Sequence, residues 1–170
     1  APDGAIAVAY RDLASGDTLL RDADRRFHAA STMKIAVLVE LFRAIDRGEL
    51  ALDRPIRVVN EFRSLVDGSR FSLDPKADGD PDLYAALGGE RPLGELVRRM
   101  IVRSSNLATN LLIGLADPGR TTAAMRALGA ERIEVLRGVE DQKAFDAGLV
   151  NSTTARDLLA ILAAIAQGRA

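Results

Sequence analysis

The chain has 170 residues, of which 48% are hydrophobic and 28% are charged, a composition typical of one soluble globular domain with its own core. Its formal net charge of -1 gives no support to a nucleic-acid or membrane-surface partner, and we expect neither. The sequence contains no cysteine, which excludes a disulfide framework and a thiolate metal site. No stretch approaches the ~18 uninterrupted apolar residues of a membrane span.

The first predicted elements are a β-hairpin and a buried helix. Residues 5–10 fit a strand, ASGD supplies turn residues, and the return strand starts at Thr18. The following helix is predicted from Ser31 to Arg47, and Gly48 stands where a C′ glycine belongs. Its apolar residues nearly encircle the helix, which indicates that it is buried on most sides.

The middle of the chain has a different character. Residues 51–90 show little periodicity and are rich in Gly, Asp and Pro, so we predict a long excursion with short helical pieces. A helical pattern returns at Pro92, which suits the first helical position, and it breaks at RSSN. Asn106 is predicted to cap the helix that follows.

Three further segments complete the chain. TTAAMRALGA predicts a short helix that ends at Gly129, and ERIEVLRGVEDQKAFDAGLVNS is predicted to be a loop because its periodicity is weak. The last helix begins with a capping pattern formed by Thr154 and Asp157. Helices dominate after the hairpin, and one hairpin is not a stable sheet. Either the hairpin is an isolated feature of a helical domain, or further strands are missing from this chain.

Ser31 and Lys34 stand at the start of the buried helix, one helical turn apart and on the same face. A serine hydroxyl is a weak nucleophile until a nearby group accepts its proton, and a lysine accepts it only when its pKa is lowered. Burial and the positive end of a helix dipole both lower a lysine pKa. In the structural alternative, Ser31 caps the helix and Lys34 reaches solvent.

Ser104, Ser105 and Asn106 separate two predicted helices within the apolar segment MIVRSSNLATNLLI. Taken alone, the tripeptide predicts only a helix-capping turn. However, Ser-x-x-Lys followed by Ser-Asp-Asn and Lys-Thr-Gly is the pattern of class A β-lactamases and penicillin-binding proteins. The sequence resembles this superfamily in its first two motifs. AIAVAYRDLASGDTLLRDADRRFHAASTMK also resembles the family's opening hairpin and nucleophile helix, and LVNSTTARDLLAILAAIAQG resembles the helix after its omega loop.

The resemblance implies a serine hydrolase with an α/β (α+β) fold, in which helices flank an antiparallel sheet and an all-helical subdomain is present. It makes Ser31 the acylated nucleophile, Lys34 the group that handles its proton, and Ser104 the relay to the departing nitrogen. Asn106 would orient Lys34 and bind the amide side chain of the substrate. The backbone N–H of Ser31 would form half of an oxyanion hole.

Glu140 lies in LRGVEDQKAFDAG, in the region where class A enzymes carry the glutamate that activates the hydrolytic water. The resemblance implies this role for Glu140. The neighbouring Asp141 is an alternative acid, and a solvated acidic loop is the structural alternative. An asparagine usually follows the glutamate four positions later, and that position holds Ala144 here. Deacylation is the step that this departure affects.

Two further departures concern the second and third motifs. Ser105 stands where the family has an aspartate, which removes a charge that helps to fix the loop. The lysines of the sequence are Lys34, Lys76 and Lys143, and none of them begins a Lys-Thr-Gly. The strand that carries this motif in the family, and the second oxyanion N–H, are therefore expected outside this chain.

We accordingly expect residues 1–170 to form a single incomplete β-lactamase-like domain. Residues 1–30 would hold the hairpin of the α/β part, and residues 31–170 the nucleophile helix and a mainly helical region. A missing C-terminal segment or a second chain is expected to complete the sheet, and residues 1–170 alone are not expected to form a stable, active enzyme.

His28 is the single histidine of the sequence and precedes Ser31 by three residues. A Ser-His-Asp triad would have to use it, but we expect it to pack near the helix start. No cluster of His and acidic residues has metal-ligand spacing, and we expect no cofactor.

The sequence thus predicts a hydrolase of the class A β-lactamase type that acts on a small-molecule substrate, a β-lactam or a peptidoglycan-like amide or ester. One alternative is a penicillin-binding, D,D-peptidase-like or esterase-like enzyme with slow deacylation. Another is a non-catalytic β-lactamase-like module that binds a ligand. We expect a secreted or periplasmic protein whose signal peptide is not in this chain.

Overall fold

The computed structural model describes residues 4–170, which form short strands and α-helices. The strands are β1 (Val8–Arg11), β2 (Thr18–Arg21), β3 (Phe27–His28), β4 (Pro55–Arg57), β5 (Phe62–Arg63), β6 (Arg70–Phe71), β7 (Glu90–Pro92) and β8 (Ser152–Thr153). The helices are α1 (Met33–Asp46), α2 (Leu93–Val102), α3 (Asn106–Ala116), α4 (Pro118–Ala127), α5 (Gln142–Asp146) and α6 (Ala155–Ala166). A single turn of 3₁₀ helix covers Ala30–Thr32, and a longer 3₁₀ segment covers Pro81–Ala86.

The strands pair two by two and antiparallel, as β1–β2, β3–β8, β4–β7 and β5–β6. The predicted opening hairpin is confirmed, with Val8 opposite Arg21 and Arg11 opposite Thr18. Within the described residues, β1 and β2 pair only with each other, and α6 packs against β1. The pairing of the hairpin edge with strands from outside this chain stays a prediction.

Helix α1 is the centre of the core, and α2, α3 and α4 pack around it. Met33, Ala36, Val37 and Leu41 are completely buried, in agreement with the predicted buried helix. Burying one large apolar side chain stabilises a fold by about 1.5–3 kcal/mol, so these positions fix α1 firmly. The α-helix begins at Met33 and not at Ser31, because the residues before it form the 3₁₀ turn. It ends where predicted, and Gly48 has the left-handed φ of 73° that a C′ glycine supplies.

The excursion over residues 51–90 contains short strands in addition to one helical piece of the kind that the sequence predicts. Strand β4 pairs with β7 and closes the base of the excursion, with Pro55 opposite Pro92. Strands β5 and β6 form a small hairpin in which the rings of Phe62 and Phe71 lie 5.8 Å apart. The 3₁₀ segment is its single helical part. The pairing of β4 with β7, which are far apart in the sequence, determines the structure of the excursion. Such long-range pairing cannot be predicted from the local periodicity of the sequence.

Three predicted helix starts need correction. Pro92 ends β7 and stands at the N-cap of α2, one residue before the first helical position. Ser105, rather than Asn106, caps α3, and its Oγ accepts the N–H of Ala108 at 3.1 Å. Helix α4 starts earlier than TTAAMRALGA, because the carboxylate of Asp117 caps it and a proline follows at the first helical position.

The segment from residue 131 to residue 152 is mostly a loop, as predicted, although it also contains α5 and the start of β8. The capping pattern of α6 is confirmed in both directions. The N–H of Asp157 donates to Thr154 Oγ1 at 3.0 Å, and the N–H of Thr154 donates to Asp157 Oδ2 at 3.1 Å. Pairing of β3 with β8 then brings the chain before α1 next to the end of this loop.

Candidate active site

Ser31 lies in the 3₁₀ turn directly before α1, and its side chain is exposed to solvent. Its Oγ accepts a hydrogen bond from Ser104 Oγ at 3.1 Å. The preceding residue, Ala30, has a φ of 44°, in the left-handed region that is costly for a residue with a Cβ. The turn therefore holds an accessible hydroxyl in a strained backbone at the N-terminal end of a buried helix.

Lys34 lies in the first turn of α1 and is buried, with 2% of its surface exposed. Its Nζ donates to the Ser104 carbonyl oxygen at 2.6 Å, to Ser104 Oγ at 3.0 Å and to Asn106 Oδ1 at 2.9 Å. An ammonium group has three donors, so these acceptors use all of them. The lysine is thus held inside the protein, and Ser104 Oγ connects it to Ser31.

The pKa of Lys34 is lowered from its ordinary value because burial disfavours the charged ammonium form. The carboxylates of Asp78 and Glu140 oppose this effect, since their negative charges favour the ammonium. A lysine with a lowered pKa spends more of its time as the neutral amine, which is the form that can accept a proton.

Ser104 and Asn106 occupy the short loop between α2 and α3. Ser104 has a left-handed φ of 56°, which allows both its carbonyl oxygen and its hydroxyl to face Lys34. Asn106 accepts from Lys34 through Oδ1 and donates through Nδ2 to Glu140 Oε1 at 2.6 Å. The loop therefore brings together Ser31, Lys34 and Glu140, which belong to distant parts of the sequence.

Glu140 and Asp141 are neighbours with different surroundings. Glu140 is exposed, has a φ of 63°, and presents its carboxylate to Asn106. Asp141 is buried and accepts from Ser64 Oγ at 2.9 Å, from the Leu65 N–H at 2.8 Å and from the Ala144 N–H at 3.1 Å. Asp141 therefore caps α5 and ties it to the turn between β5 and β6.

The pKa of Asp141 reflects this anchoring. Burial by itself raises the pKa, but hydrogen bonds from Leu65, Ala144 and Ser64 outweigh it, and the pKa lies below its ordinary value. A carboxylate whose oxygens are already bound in this way is poorly suited to accept a proton from water. The geometry favours Glu140 over Asp141 as the acid that faces the site.

Ala144 is completely buried against this loop. Its methyl group offers no hydrogen bond, so position 144 contributes none of the amide contacts that an asparagine side chain would supply. A small cavity of about 140 Å³ lies beside Glu140 and is lined among others by His28, Ala30 and Phe145. This volume suffices for a few water molecules, since one water occupies about 30 Å³.

His28 lies on β3, and its ring meets the ring of Phe145 edge-on at a centroid distance of 6.0 Å. Ser31 Oγ bonds to Ser104 rather than to this histidine. The arrangement agrees with a packing role for His28 near the helix start and gives no support to a Ser-His-Asp triad.

Asp78, which the sequence does not mark as a site residue, contacts the loop that carries Ser104 and Asn106. Its carboxylate accepts the backbone N–H groups of Asn106 and Leu107 at 3.0 and 2.8 Å. The segment DPKADGDPD carries several aspartates with the same local character, and nothing in their spacing distinguishes Asp78 from the others. Its partners lie 28 and 29 residues away, and only the fold reveals them.

The beta-lactamase enzyme family matches this chain over residues 1–170, and the chain belongs to that family. Among solved structures, a beta-lactamase from Sphaerobacter thermophilus is 30% identical with a TM-score of 0.77, over 96% of this chain and 56% of that one. A beta lactamase from Xanthomonas campestris is 25% identical with a TM-score of 0.76, over 95% of this chain and 56% of that one. PBP-A is 25% identical with a TM-score of 0.73, over 95% of this chain and 55% of that one. A mutant of PBP-A, solved as an acyl-enzyme complex with penicillin G, is 24% identical with a TM-score of 0.71.

These matches confirm the predicted superfamily of serine β-lactamases and penicillin-binding proteins, and its mixed fold of helices and antiparallel strands. The chain spans little more than half the length of the solved chains it matches. Two further observations concern residues 4–170 only. No group of three or more His, Asp or Glu side chains there is arranged to hold a metal ion, and none of the helices there is long and apolar enough to cross a membrane.

Proposed function

We propose that the complete protein is a serine hydrolase of the class A β-lactamase type, which hydrolyses β-lactam or related amide or ester bonds through an acyl group on Ser31. One observation carries this proposal. Ser31 Oγ, Ser104 Oγ and the buried Nζ of Lys34 form a continuous hydrogen-bonded path from an exposed hydroxyl to a lysine of lowered pKa. Such a path is what a serine needs to become a nucleophile.

In the proposed acylation, the neutral amine of Lys34 takes up the proton of Ser31 through Ser104 Oγ. Ser31 Oγ then bonds to the carbonyl carbon of the substrate, and the carbonyl oxygen becomes an oxyanion. The backbone N–H of Ser31 is one donor to that oxyanion, and such a donor is typically worth ~3 kcal/mol of transition-state stabilisation. When the bond from carbon to nitrogen breaks, Ser104 delivers a proton to the departing nitrogen, and Lys34 resupplies Ser104.

In the proposed deacylation, Glu140 removes a proton from a water that attacks the acyl carbon. Its exposed carboxylate and the adjoining cavity support this role. As the bond between the acyl carbon and Ser31 Oγ breaks, the proton held by Glu140 passes to the neutral amine of Lys34 and through Ser104 Oγ to Ser31 Oγ, which restores both the carboxylate and the hydroxyl.

A second candidate is a penicillin-binding, D,D-peptidase-like or esterase-like enzyme that acylates readily and deacylates slowly. Ala144 favours it, because position 144 offers no amide to hold a water beside Glu140. The chain also matches PBP-A and the two beta-lactamases at similar TM-scores, so the fold does not separate the candidates. A non-catalytic β-lactamase-like module that binds a ligand is the third candidate.

Turnover of a chromogenic cephalosporin by the complete protein separates the three candidates. Fast steady-state turnover supports the β-lactamase proposal. A stoichiometric burst followed by slow release supports the slow-deacylation candidate, and absence of both burst and turnover supports the binding module. The Ser31→Ala variant is the matched control, because it removes one oxygen from an exposed side chain and leaves the core unchanged.

We also propose that a C-terminal segment or a second chain completes the sheet. Leu19 and Leu20 of β2 are exposed, and Phe42 of α1 and Ile165 of α6 line one surface groove. Exposed apolar side chains of this size are expected to be covered in the complete protein. A secreted or periplasmic location fits a substrate of the β-lactam or peptidoglycan type and is likewise a proposal, which fractionation of cells expressing the complete gene would test.

A further inference from the structure

Asp78 lies beneath the loop that carries Ser104 and Asn106, on the segment between β6 and the 3₁₀ residues 81–86. Its side chain is almost completely buried, with 7% of the residue exposed. Oδ1 accepts the N–H of Asn106 at 3.0 Å, and Oδ2 accepts the N–H of Leu107 at 2.8 Å. These residues begin α3, so a carboxylate from a distant segment satisfies two of the amides that every helix leaves open at its N-terminus.

The remaining contacts fix the orientation of this carboxylate. Asp80 donates its backbone N–H to Oδ1 at 2.9 Å, and Tyr84 donates its hydroxyl to Oδ2 at 2.9 Å. Each oxygen of Asp78 therefore accepts two hydrogen bonds. Gly79 lies so close to the Arg103 carbonyl oxygen that a Cβ at this position would collide with it. The segment is thus fastened directly against the backbone that leads into Ser104.

The same carboxylate acts on Lys34 through its charge. Burial lowers the pKa of Lys34, and the negative charges of Asp78 and Glu140 are the two that oppose it. Asp78 approaches from the 74–80 segment, whereas Glu140 approaches from the loop before α5. Ser105 brings no charge to the Ser104–Asn106 motif, since its side chain is a neutral hydroxyl, and this hydroxyl caps α3.

We propose that Asp78 is a positioning residue of the site, which holds the Ser104–Asn106 loop against Lys34 and supplies from outside the motif the negative charge that Ser105 lacks. Asp78 acts through Lys34 and Asn106 and does not touch the substrate. The consequence for acylation rests on the proposed function, whereas the consequence for Lys34 does not.

The first test is the titration of Lys34 by NMR in the complete protein labelled with ¹³C-lysine, with the signal of Lys34 identified by its loss in Lys34→Arg. In Asp78→Asn we expect the amine of Lys34 to titrate at lower pH than in the wild type, because one of two opposing charges is gone. Asp82→Asn removes an exposed charge nearby and is the matched control, with no expected shift. Equal titration of Lys34 in the two variants would overturn the proposal.

The second test is the pH dependence of acylation by penicillin G. In Asp78→Asn we expect acylation to slow by about ten- to hundredfold, as for the loss of hydrogen bonds to a charged group. We also expect the acid limb of the rate profile to move to lower pH, which loosening of the loop alone would not cause. A slower rate with an unmoved limb contradicts the electrostatic part of the proposal.

Asp78→Glu decides the matter if Asp78→Asn does not fold. It keeps the charge but displaces the carboxylate, so Lys34 should titrate as in the wild type while acylation slows by about tenfold. Wild-type acylation in Asp78→Glu would overturn the positioning role. If the wild type forms no adduct at all, the proposed function fails, and the titration of Lys34 still decides the role of Asp78.

Discussion

Replacing Asp141 by alanine should weaken the fold, whereas replacing its neighbour Glu140 by glutamine should not. Asp141 is buried, and its carboxylate accepts three hydrogen bonds, from Ser64 Oγ and from the N–H groups of Leu65 and Ala144. A hydrogen bond to a charged group contributes ~1.5–3 kcal/mol to the free energy of unfolding, and an N-cap contributes ~0.5–2 kcal/mol. These contributions are not fully additive when a single residue makes all of the contacts.

We therefore expect Asp141→Ala to lower the free energy of unfolding by about 2–4 kcal/mol, a large share of the ~5–15 kcal/mol of a typical domain. Glu140 is exposed, and a substitution at an exposed position usually changes stability by no more than ~0.5 kcal/mol. The carboxamide of Glu140→Gln can still bond to Asn106, but it cannot accept a proton from water.

The assay pairs urea unfolding of the complete protein with the decay of its acyl adduct with penicillin G, measured by mass spectrometry. Glu140→Gln should unfold like the wild type and retain the adduct. Asp141→Ala should unfold at lower urea, and Ser64→Ala should show a smaller loss in the same direction because it removes one donor. Equal stability of Asp141→Ala and the wild type would refute the anchoring role. Unchanged decay in Glu140→Gln would refute the assignment of the acid.

The pH dependence of stability, the cap of α3 and the core can each be tested by unfolding experiments. The pKa of Asp141 is lowered in the folded state, so the stabilisation by its carboxylate is complete above the pKa of ~3.9 of an unfolded aspartate and is lost as the pH falls below that value. Below pH 4, the urea midpoint should therefore fall less steeply with pH in Asp141→Asn than in the wild type. Ser105→Ala removes the N-cap of α3 and should cost ~1 kcal/mol in thermal unfolding, and a cost near zero would show that Asp78 alone secures the start of this helix. Leu112→Ala empties a fully buried position and should cost about 2–5 kcal/mol, whereas Leu162→Ala, at a half-exposed position, should cost clearly less; similar urea midpoints for the two would contradict the described core.

The sequence was sufficient for the parts of the site that rest on local spacing. Ser31 and Lys34 are three residues apart, and Ser104 and Asn106 share one loop, so the two motifs together, although neither alone, were enough to propose these four residues. The burial of α1 followed from its nearly continuous apolar surface, and the capping box of α6 followed from Thr154 and the acid three residues later.

The parts that the sequence did not reveal depend on partners far along the chain. Glu140 and Asp141 are adjacent acids in the sequence, and the contact of Asp141 with Ser64, 77 residues away, is what distinguishes their surroundings. Asp78 stands in an aspartate-rich segment without periodicity and becomes recognisable only through its contacts with α3. The sequence does not decide between Ser105 and Asn106 as the cap of α3, because serine and asparagine are equally good caps, and the structure shows that Ser105 is the cap.

The proposed function requires that Ser31 becomes acylated with the help of Ser104 and Lys34. Peptide mapping by mass spectrometry of the complete protein after exposure to penicillin G locates the acylated residue. We expect the mass of one penicillin G on the peptide that contains Ser31, strongly reduced labelling in Lys34→Met, and no labelling in Ser31→Ala. An adduct on another residue, or labelling of Ser31→Ala at the wild-type rate, would contradict the claim.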